Sequence, residues 1–473
     1  MTQEQEKINR WFKKYGWNHQ TFFNRPHATR RHFLELLGAG VTASFLTNHS
    51  AKAAEVAAAG AATKGTAENV IFILMAGAPS HTDTFDLKDS TVATAPPGLH
   101  KPEKINGLYI PTGIMPKLAT MAGDFAVARN VRAHAVVHSV SQTWIQIGRN
   151  PLAALGNIAP NIGSIVAAEK FSQRKPSDIF PTFLALNSNG AVNQGYLSGK
   201  YAPFKVTAAT AGIGNTTNPT GQTRFENRFK LLNSLDANLR NSSPNGVPMS
   251  DYNEYYVDAR QLMYNPVVNQ YFGFSAAESQ RYGDSSLRTT TGTGNAMLVA
   301  SQVLKANLGT RFIQITSNDG WDMHSNIYTG AGSIQTKIKI IDDALSALIG
   351  DLKANGLFDK TLIVMYGEFG RTVGPITAQG GRDHWAQQFC FFAGGGIKGG
   401  QGLGQSDAQG RDTLDFGWSQ KRYVYPEDIE ATIYSALGID WTTVRRDDPL
   451  GRGFEYVPNT GPFPFMPLHE LWG

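Results

Sequence analysis

Cysteine is almost missing from this chain: Cys390 stands alone in 473 residues, so no disulfide can form within the chain. Its apolar neighbours in FCFFAG predict a buried and chemically inert thiol. Long hydrophobic runs are also missing, because no apolar stretch after residue 53 approaches the roughly 20 residues that a membrane-spanning helix needs. No internal repeat of fixed period is evident, which argues against a solenoid or a propeller.

An excess of charge is missing too, once the N-terminal segment is set aside. Of the 43 Lys/Arg and 38 Asp/Glu, eight and three precede residue 54, so the remainder carries 35 of each. A formally neutral chain gives no basis for binding nucleic acid or an anionic membrane surface. The formal charge of +5 therefore belongs to the N-terminal segment.

That N-terminal segment has the features of a twin-arginine export signal in their usual order. Arg30 and Arg31 precede a mildly apolar run at 34–46, and the sequence AKA at 51–53 offers small residues for cleavage. The alternative is an ordinary amphipathic helix with a chance arginine pair. We expect a signal peptide at 1–53, export by the twin-arginine machinery, and a periplasmic or secreted protein.

Six short apolar runs after residue 68 predict buried, mainly parallel strands. Helical patterns separate several of them, notably at 295–305 and 334–354. This alternation predicts an α/β domain whose sheet is covered by helices on both faces. The six runs are 69–76, 125–129, 182–187, 311–316, 361–366 and 389–393.

The chain therefore divides into a few expected regions. The Ala/Gly/Thr-rich segment 54–67 predicts a flexible start to the mature protein, and 68–473 forms the α/β domain. The stretch 187–286 interrupts the strand and helix rhythm. It is either an insertion that caps the sheet edge or a surface excursion without a role, because loops tolerate insertions at little energetic cost.

Acids and imidazoles lie in the loops that leave the predicted strands. Ligands of open α/β sheets bind beyond the carboxyl ends of strands. The loops around runs 311–316, 361–366 and 389–393 supply several such residues to one edge, which favours a functional site there. They are Asp322, His324, Glu368, Asp383 and His384.

A further loop, GAPSHTDTFD, follows the first strand and contains His81, Asp83 and Asp86. Carboxylate and imidazole ligands suit a divalent cation such as Zn, Ca, Mg or Mn. The alternative is a capped turn in which Ser80 or Asp83 accepts backbone hydrogen bonds. The sequence leaves both interpretations open.

Two arginines and one histidine complete the candidate set. Arg371 and Arg382 have the donors that bidentate recognition of phosphate or sulfate requires, although such arginines also clamp loops. Glu368 and Arg371 are compatible with a structural ion pair. His384, in GGRDHW, suits a metal ligand or a general base. The run GGGIKGG lacks the Gly-Lys-Ser/Thr ending of a phosphate-binding loop and predicts a tight turn.

Several landmarks together resemble the exported family called domain of unknown function 1501, in the alkaline phosphatase and sulfatase superfamily. They are PSHTDTFD, VRAHAVVHS, PNIGSIV, RYG at 281–283, GWDMHSN, LIVMYGEFGRT, GRDHW and GGGIKGGQGLGQSD, within 69–451. The resemblance implies an alkaline-phosphatase-like fold with a mostly parallel central sheet, helices on both faces and an inserted cap region. It also implies one or more divalent metal ions at the strand edge.

The resemblance assigns roles to some positions and departs from the superfamily at others. The superfamily nucleophile, at the start of a helix, falls on His138, with Ser139 and Ser141 as neighbouring hydroxyls. Asp322 and His324 resemble intermediate metal ligands, and His384 resembles the final histidine. The paired acids that end the first strand of a typical sulfatase are absent, since that strand ends in Ala-Gly here.

The resemblance implies a metal-dependent hydrolase of phosphate or sulfate esters, with a small anionic ester as substrate. The expected catalytic residues are His138, Ser139 and Arg371, the last stabilising charge. The alternative is a catalytically degenerate member that acts as a periplasmic binding or assembly protein with an exported protein partner. The expected metal ligands are His81, Asp83, Asp322, His324, Glu368, Asp383 and His384.

Overall fold

A central sheet of eight strands organises the part of the chain that the computed structural model describes, residues 62–188, 192–238, 247–283, 292–459 and 463–473. Short two-stranded ribbons lie outside this sheet. The strands are β1 (Asn69–Met75), β2 (Glu103–Ile105), β3 (Leu108–Ile110), β4 (Phe125–Arg132), β5 (Phe183–Leu186), β6 (Phe204–Val206), β7 (Phe312–Ser317), β8 (Thr361–Tyr366), β9 (Gly370–Arg371), β10 (His384–Trp385), β11 (Gln387–Ala393), β12 (Gln401–Leu403), β13 (Gln405–Ser406), β14 (Thr413–Asp415), β15 (Val444–Arg445) and β16 (Phe454–Glu455).

Helices alternate with the sheet strands, as the apolar patterns predict. The two helices predicted from periodicity are present as α9 and α10. The α-helices are α1 (Ser90–Ala93), α2 (Pro116–Thr120), α3 (His138–Ile147), α4 (Ile162–Lys170), α5 (Gln222–Leu235), α6 (Val247–Leu262), α7 (Pro266–Phe272), α8 (Ala276–Arg281), α9 (Thr293–Ala306), α10 (Ile334–Ala354) and α11 (Pro426–Ala436).

The predicted α/β class and mostly parallel sheet are confirmed. The strand order is β12-β4-β11-β8-β1-β7-β5-β6, and all six apolar runs contribute strands to it. β1 pairs in parallel with β7 and β8, whereas β11 pairs antiparallel with β4 and β8. A mostly parallel sheet is buried on both faces, which explains why its strands are continuously apolar.

Side chains of β1 alternate between two hydrophobic cores, one on each face of the sheet. Ile71 and Ile73 belong to the core that also contains helices α9 and α10. Val70 and Phe72 belong to the core that contains α4 and α11. Because successive side chains of a strand point to opposite faces, one strand anchors both helical layers.

The reversed direction of β11 brings residues that precede it to the edge where the parallel strands end. Asp383 and His384 come before β11, whereas Glu368 comes after β8. Because β11 is antiparallel to β8, its beginning lies beside the end of β8. The expected meeting of these segments at one edge therefore depends on a strand reversal that the sequence did not reveal.

Two regions proposed from the sequence are described in part. Within the expected flexible start 54–67, the backbone amides of Lys64 and Ala67 donate hydrogen bonds to Ser435 and Ala436. The predicted signal 1–53 lies outside the described residues. Within 187–286, β6 pairs with β5 and extends the central sheet. No helix in the described ranges is long and apolar enough to cross a membrane.

Candidate metal centre

Three histidines and one aspartate meet at the carboxyl edge of the sheet, and we call His138, Asp322, His324 and His384 the candidate metal centre. Each offers one ligand atom, and these atoms lie within 4.8 Å of one another. His138 begins helix α3, Asp322 and His324 follow β7, and His384 precedes β11. Imidazole and carboxylate ligands of this kind suit zinc and related divalent metals.

The ligand atoms are separated by distances close to those in a metal coordination shell. His324 Nε2 lies 3.1 Å from His384 Nε2 and 3.0 Å from Asp322 Oδ1. Asp322 Oδ1 lies 3.3 Å from His138 Nε2 and 3.8 Å from His384 Nε2. Tetrahedral ligands about 2.0–2.1 Å from zinc are roughly 3.3–3.4 Å apart. The group fits a divalent cation with small adjustments of its side chains.

A buried glutamate fixes the orientation of His138. Glu368 is fully buried, and its Oε1 accepts hydrogen bonds from His138 Nδ1 (2.5 Å), Gln142 Nε2 (2.9 Å) and the Gly77 amide (3.0 Å). The bond to Glu368 raises the pKa of His138, although partial burial opposes this change. Because Nδ1 carries the donated proton, the neutral ring keeps its free lone pair on Nε2.

The other two imidazoles have the same arrangement. His384 Nδ1 donates to the Val136 carbonyl at 2.8 Å, and His324 Nδ1 lies 3.2 Å from Asp383 Oδ1. Metal-binding histidines characteristically donate their second ring N–H to a carboxylate or a backbone carbonyl. Burial lowers the pKa of His384, which favours the neutral ring that a metal requires.

The electrostatics of the Nε2 atoms also point to a cation. When both rings are neutral with the proton on Nδ1, the Nε2 lone pairs of His324 and His384 face each other at 3.1 Å and repel, and Arg371 Nη1 lies 3.4 Å from His324 Nε2 on another side. The buried His138 Nε2 has no hydrogen bond within the described part of the chain, despite its 3.3 Å separation from Asp322. A divalent cation would satisfy all three nitrogen atoms at once.

Arg371 is buried beside the centre and anchors Asp322. Its Nη2 donates to Asp322 Oδ1 at 2.5 Å and to the Gly77 carbonyl at 2.6 Å, and its Nε donates to the Ala78 carbonyl at 2.8 Å. Partial burial would raise the pKa of Asp322, but Arg371 lowers it overall. This lowered pKa favours the ionised form of Asp322 when no metal is present.

Two glycines let the loops approach closely enough to form the centre. A Cβ at Gly77, whose φ is +109°, would lie 2.7 Å from the Asp322 amide nitrogen. A Cβ at Gly381 would lie 2.0 Å from the carbonyl carbon of His324. Real Cβ atoms do not approach backbone so closely, so any side chain here would push the two ligand loops apart.

The predicted ligand Asp83 is placed in a different environment. Its Oδ2 accepts from buried Arg382 Nε at 2.9 Å and from Ser80 Oγ at 2.5 Å. Its Oδ1 accepts from His100 Nε2 at 2.7 Å and from Tyr328 Oη at 2.6 Å. We call these residues the Asp83 network. Burial would raise the pKa of Asp83, but Arg382 and the hydrogen bonds hold it well below its usual value.

His81 also lies outside the four-residue group. Its Nε2 donates to the Gly410 carbonyl at 2.7 Å, and its Nδ1 lies 3.5 Å from the Arg371 amide nitrogen. Full burial lowers the pKa of His81. Both ring nitrogens therefore contact backbone, and the ring links the first loop to β9.

The remaining predicted residues surround the centre in distinct ways. Glu368 and Asp383 contact histidines of the candidate metal centre and lie outside the four-residue group. Ser139 is exposed next to His138, whereas the Ser141 hydroxyl donates to the Ala135 carbonyl at 2.6 Å. Sequence reasoning missed Gln142, although its position four residues after His138 puts both on one helical face.

The match to a protein family agrees with these landmarks. The chain belongs to the family described as Protein of unknown function (DUF1501), whose model matches residues 67–457. No curated protein is similar enough in sequence to match. Family membership confirms the resemblance that the sequence landmarks suggest, but the family description states no activity.

Solved structures similar to this chain include a sulfatase, a synthase and a protein of the alkaline phosphatase superfamily. One is a protein in the alkaline phosphatase superfamily from Vibrio parahaemolyticus, with 8% identity, a TM-score of 0.38, and coverage of 80% of this chain and 69% of that chain. The PsFucS1 sulfatase from Pseudoalteromonas sp. has 12% identity, a TM-score of 0.37, and coverage of 90% and 74%. The lipoteichoic acid synthase LtaP from Listeria monocytogenes has 12% identity, a TM-score of 0.35, and coverage of 84% and 77%. Likenesses this distant carry no argument about activity.

Proposed function

We propose that this protein is a metal-dependent hydrolase of phosphate or sulfate esters. The observation that carries the proposal is the common orientation of His138, His324 and His384. Each ring places Nδ1 against a hydrogen-bond acceptor, and each Nε2 faces the same small space beside Asp322. Purely structural histidines have no need for this convergence.

The four residues of the centre would hold one divalent cation, with Asp322 as the anionic ligand. When bound, the cation supplies Lewis-acid polarisation of an ester oxygen. Glu368 holds the His138 ring, and Arg371 holds Asp322, so both ligands are oriented before substrate arrives. Such preorganisation is how buried groups contribute to catalysis without directly contacting substrate.

An open cleft beside the centre provides room for a tetrahedral anion. Its volume is about 300 Å³, and it lies next to the start of α3, where backbone N–H groups favour negative charge. The family resemblance makes Ser139 the candidate nucleophile; its exposed side chain directly follows His138, at the margin of the cleft and outside its lining. The cleft is lined by Ala76, Gly77, His138, Gln142, Asn318, Gly320 and Asp322.

Metal analysis of the purified protein tests the proposal. We expect stoichiometric metal in the native chain after a mild chelator wash and loss of that metal in the His324→Ala/His384→Ala double variant. The matched control is His469→Ala, which removes a histidine outside the centre. Circular dichroism must show that all three proteins are folded. Metal in none of them would contradict the proposal.

Turnover is tested on aryl phosphate and aryl sulfate esters with the metal-loaded protein. We expect hydrolysis that disappears in the double variant and persists in His469→Ala. Ser139→Ala is expected to abolish turnover while leaving the metal in place. If the native protein binds metal and the double variant does not, but the native protein hydrolyses neither ester, the second candidate function is favoured.

That second candidate is an exported binding or assembly protein with a metal-stabilised edge. The observation in its favour is that Ala76 and Gly77 follow β1, where paired acids would otherwise extend the ligand set. The donors of Arg371 are also directed at protein oxygen atoms, which limits its contact with an anion. A partner would then replace the ester as ligand.

We also propose export through the twin-arginine pathway, which places this chemistry in the periplasm or outside the cell. The support is the order of Arg30, Arg31, the apolar run and the small residues at 51–53. The Arg30→Lys/Arg31→Lys variant should remain in the cytoplasm of a host that has this pathway. Normal periplasmic accumulation of the variant would contradict the assignment.

A further inference from the structure

A second cavity, of about 250 Å³, lies at the opposite end of the sheet from the candidate metal centre. Pro181 and Thr182 line it, and they immediately precede the parallel strand β5. The metal centre instead follows the carboxyl end of β7, which is parallel to β5. The cavity is therefore a separate site, and its ligand is independent of the proposed hydrolase function.

Apolar side chains provide much of the cavity wall. Phe171 and Val257 line it and are 37% and 48% exposed, so both retain surface that a ligand would cover. Ile179 and Pro181 add to the same lining. Small-molecule sites typically combine such apolar walls with a few oriented polar groups.

One acid that lines the cavity, Asp258, differs from the others in its hydrogen bonding. Among the residues that the structure describes, none donates a hydrogen bond to the Asp258 carboxylate or forms an ion pair with it. Burial raises the pKa of Asp258, although the nearby Arg174 opposes the change. A partly desolvated carboxylate without a donor is costly, so a cationic donor would gain by binding it.

The other charged groups of the cavity already have partners. Glu254 Oε2 accepts from Ser198 Oγ at 2.7 Å and from the Lys200 amide at 2.7 Å. Arg174 donates to the Phe180 carbonyl at 2.8 Å and to other nearby oxygen atoms. The Arg174 donors are therefore used by protein oxygen atoms and are poorly placed to hold an anionic ligand.

An aromatic ring in the cavity wall already contacts an ammonium group. Lys200 Nζ lies 5.2 Å from the centre of the Phe171 ring, within the range of a cation–π interaction. Lys200 is exposed and lysine side chains are flexible, so its ammonium group can move from the ring into solvent at little cost. The wall is therefore compatible with a cation, whereas Asp258 supplies the charge to hold it.

We propose that this cavity binds a small primary ammonium compound with a short apolar body. The ammonium group donates to Asp258, and the apolar body packs against Phe171 and Val257. The charge of Asp258 gives preference for a cation, and the apolar wall gives preference for an alkyl or aryl chain over a bare ammonium ion.

Three probes of matched shape test the charge preference: pentylamine, pentanol and pentanoate. Titration of the intact protein, followed by nuclear magnetic resonance, should show pentylamine binding about tenfold more tightly than pentanol, as one charge-assisted hydrogen bond predicts. Pentanoate should bind most weakly. Equal affinities for the three probes would overturn the proposal.

Substitutions locate the binding. Asp258→Asn should reduce pentylamine affinity to that of pentanol, while Asp359→Asn, which changes an exposed acid outside the cavity, should have no effect. Val257→Lys provides an independent test at an exposed position, because its ammonium group would compete for Asp258 and exclude the probe. Unchanged pentylamine binding in folded Val257→Lys and Asp258→Asn would overturn the assignment.

Discussion

The candidate metal centre and the Asp83 network each contain an aspartate in contact with a histidine, yet the two groups differ in their exposure to solvent. Asp83 and Arg382 are completely buried and paired at 2.9 Å. In the metal centre, the Asp322 and His324 side chains are 45% and 47% exposed. The first group is closed to solvent and the second is open to it.

The difference lies in what each ionisable group has for a partner. Asp83 has a cation and several hydrogen-bond donors, so its charge is compensated within the protein. The Nε2 atoms of His324 and His384 face each other and gain from an added cation. An acid or a histidine at a sheet edge is therefore informative only when its partners are known.

The largest expected effect is on the Asp83 network, which is closed to solvent. Arg382→Met leaves Asp83 buried without its cation, and loss of one partner from a buried ion pair costs about 3–5 kcal/mol. We expect the free energy of unfolding to fall by that amount at neutral pH. Urea titration followed by circular dichroism measures it.

The control for this prediction is an ion pair of the same chemistry at the surface. Asp447 pairs with Arg445 at 2.5 Å, and its side chain is 56% exposed. Asp447→Asn should change stability by less than about 1 kcal/mol, because water replaces the lost contact. If Arg382→Met cost no more than this, burial would not distinguish the two groups.

The comparison also explains what the sequence could and could not predict. Apolar runs identified the six strands because burial on both faces demands such runs. Residue type alone made Asp83 as plausible a ligand as Asp322. Their difference depends on Arg382, which is 299 positions from Asp83, and no local pattern encodes that contact.

The position of the site at the carboxyl edge of the sheet could be predicted from the strand pattern. The detailed arrangement of its residues could not. Asp322 and His324 follow a parallel strand, so their position followed from general rules for α/β sheets. His384 reaches the same edge only because β11 is reversed. His138 came from family resemblance, and the role of Glu368 as its partner required the structure.

A second prediction sharpens the comparison with a buried acid that is less well compensated than Asp83. Glu430 accepts a hydrogen bond from Tyr434 at 2.8 Å, but its Oε2 has no partner among the described residues. Burial raises the pKa of Glu430 to about 8, although Arg149 opposes the change. The folded protein therefore binds a proton that the unfolded chain releases above its ordinary pKa of 4.5.

The sign of the resulting pH dependence is opposite to that for Asp83. Stability from protonated Glu430 is complete below the unfolded pKa and is lost as pH rises towards about 8, at about 1.4 kcal/mol per pH unit. Between about pH 5 and about pH 7, the free energy of unfolding of the native protein should fall by about 3 kcal/mol more than that of Glu430→Gln. Urea titration at each pH measures the free energy of unfolding. An equal loss of this free energy in the two proteins would contradict the prediction.

The smallest expected effect is on the candidate metal centre, which is open to solvent, through an acid that contacts His324. Asp383 lies 3.2 Å from His324 Nδ1, and its side chain is 66% exposed. Asp383→Asn keeps an acceptor but removes the charge, so zinc affinity should fall about tenfold, or about 1.4 kcal/mol. Competition with a chromophoric chelator measures this affinity.

The matched control is Asp412→Asn, which alters another exposed acid that pairs with Arg132 outside the centre. Both variants should unfold like native protein when metal is absent, because exposed carboxylates contribute little to stability. A loss of zinc affinity only in Asp383→Asn would separate ligand orientation from folding. A loss of stability instead would mean that Asp383 acts like Asp83, and the distinction between an open centre and a closed network would fail at this residue.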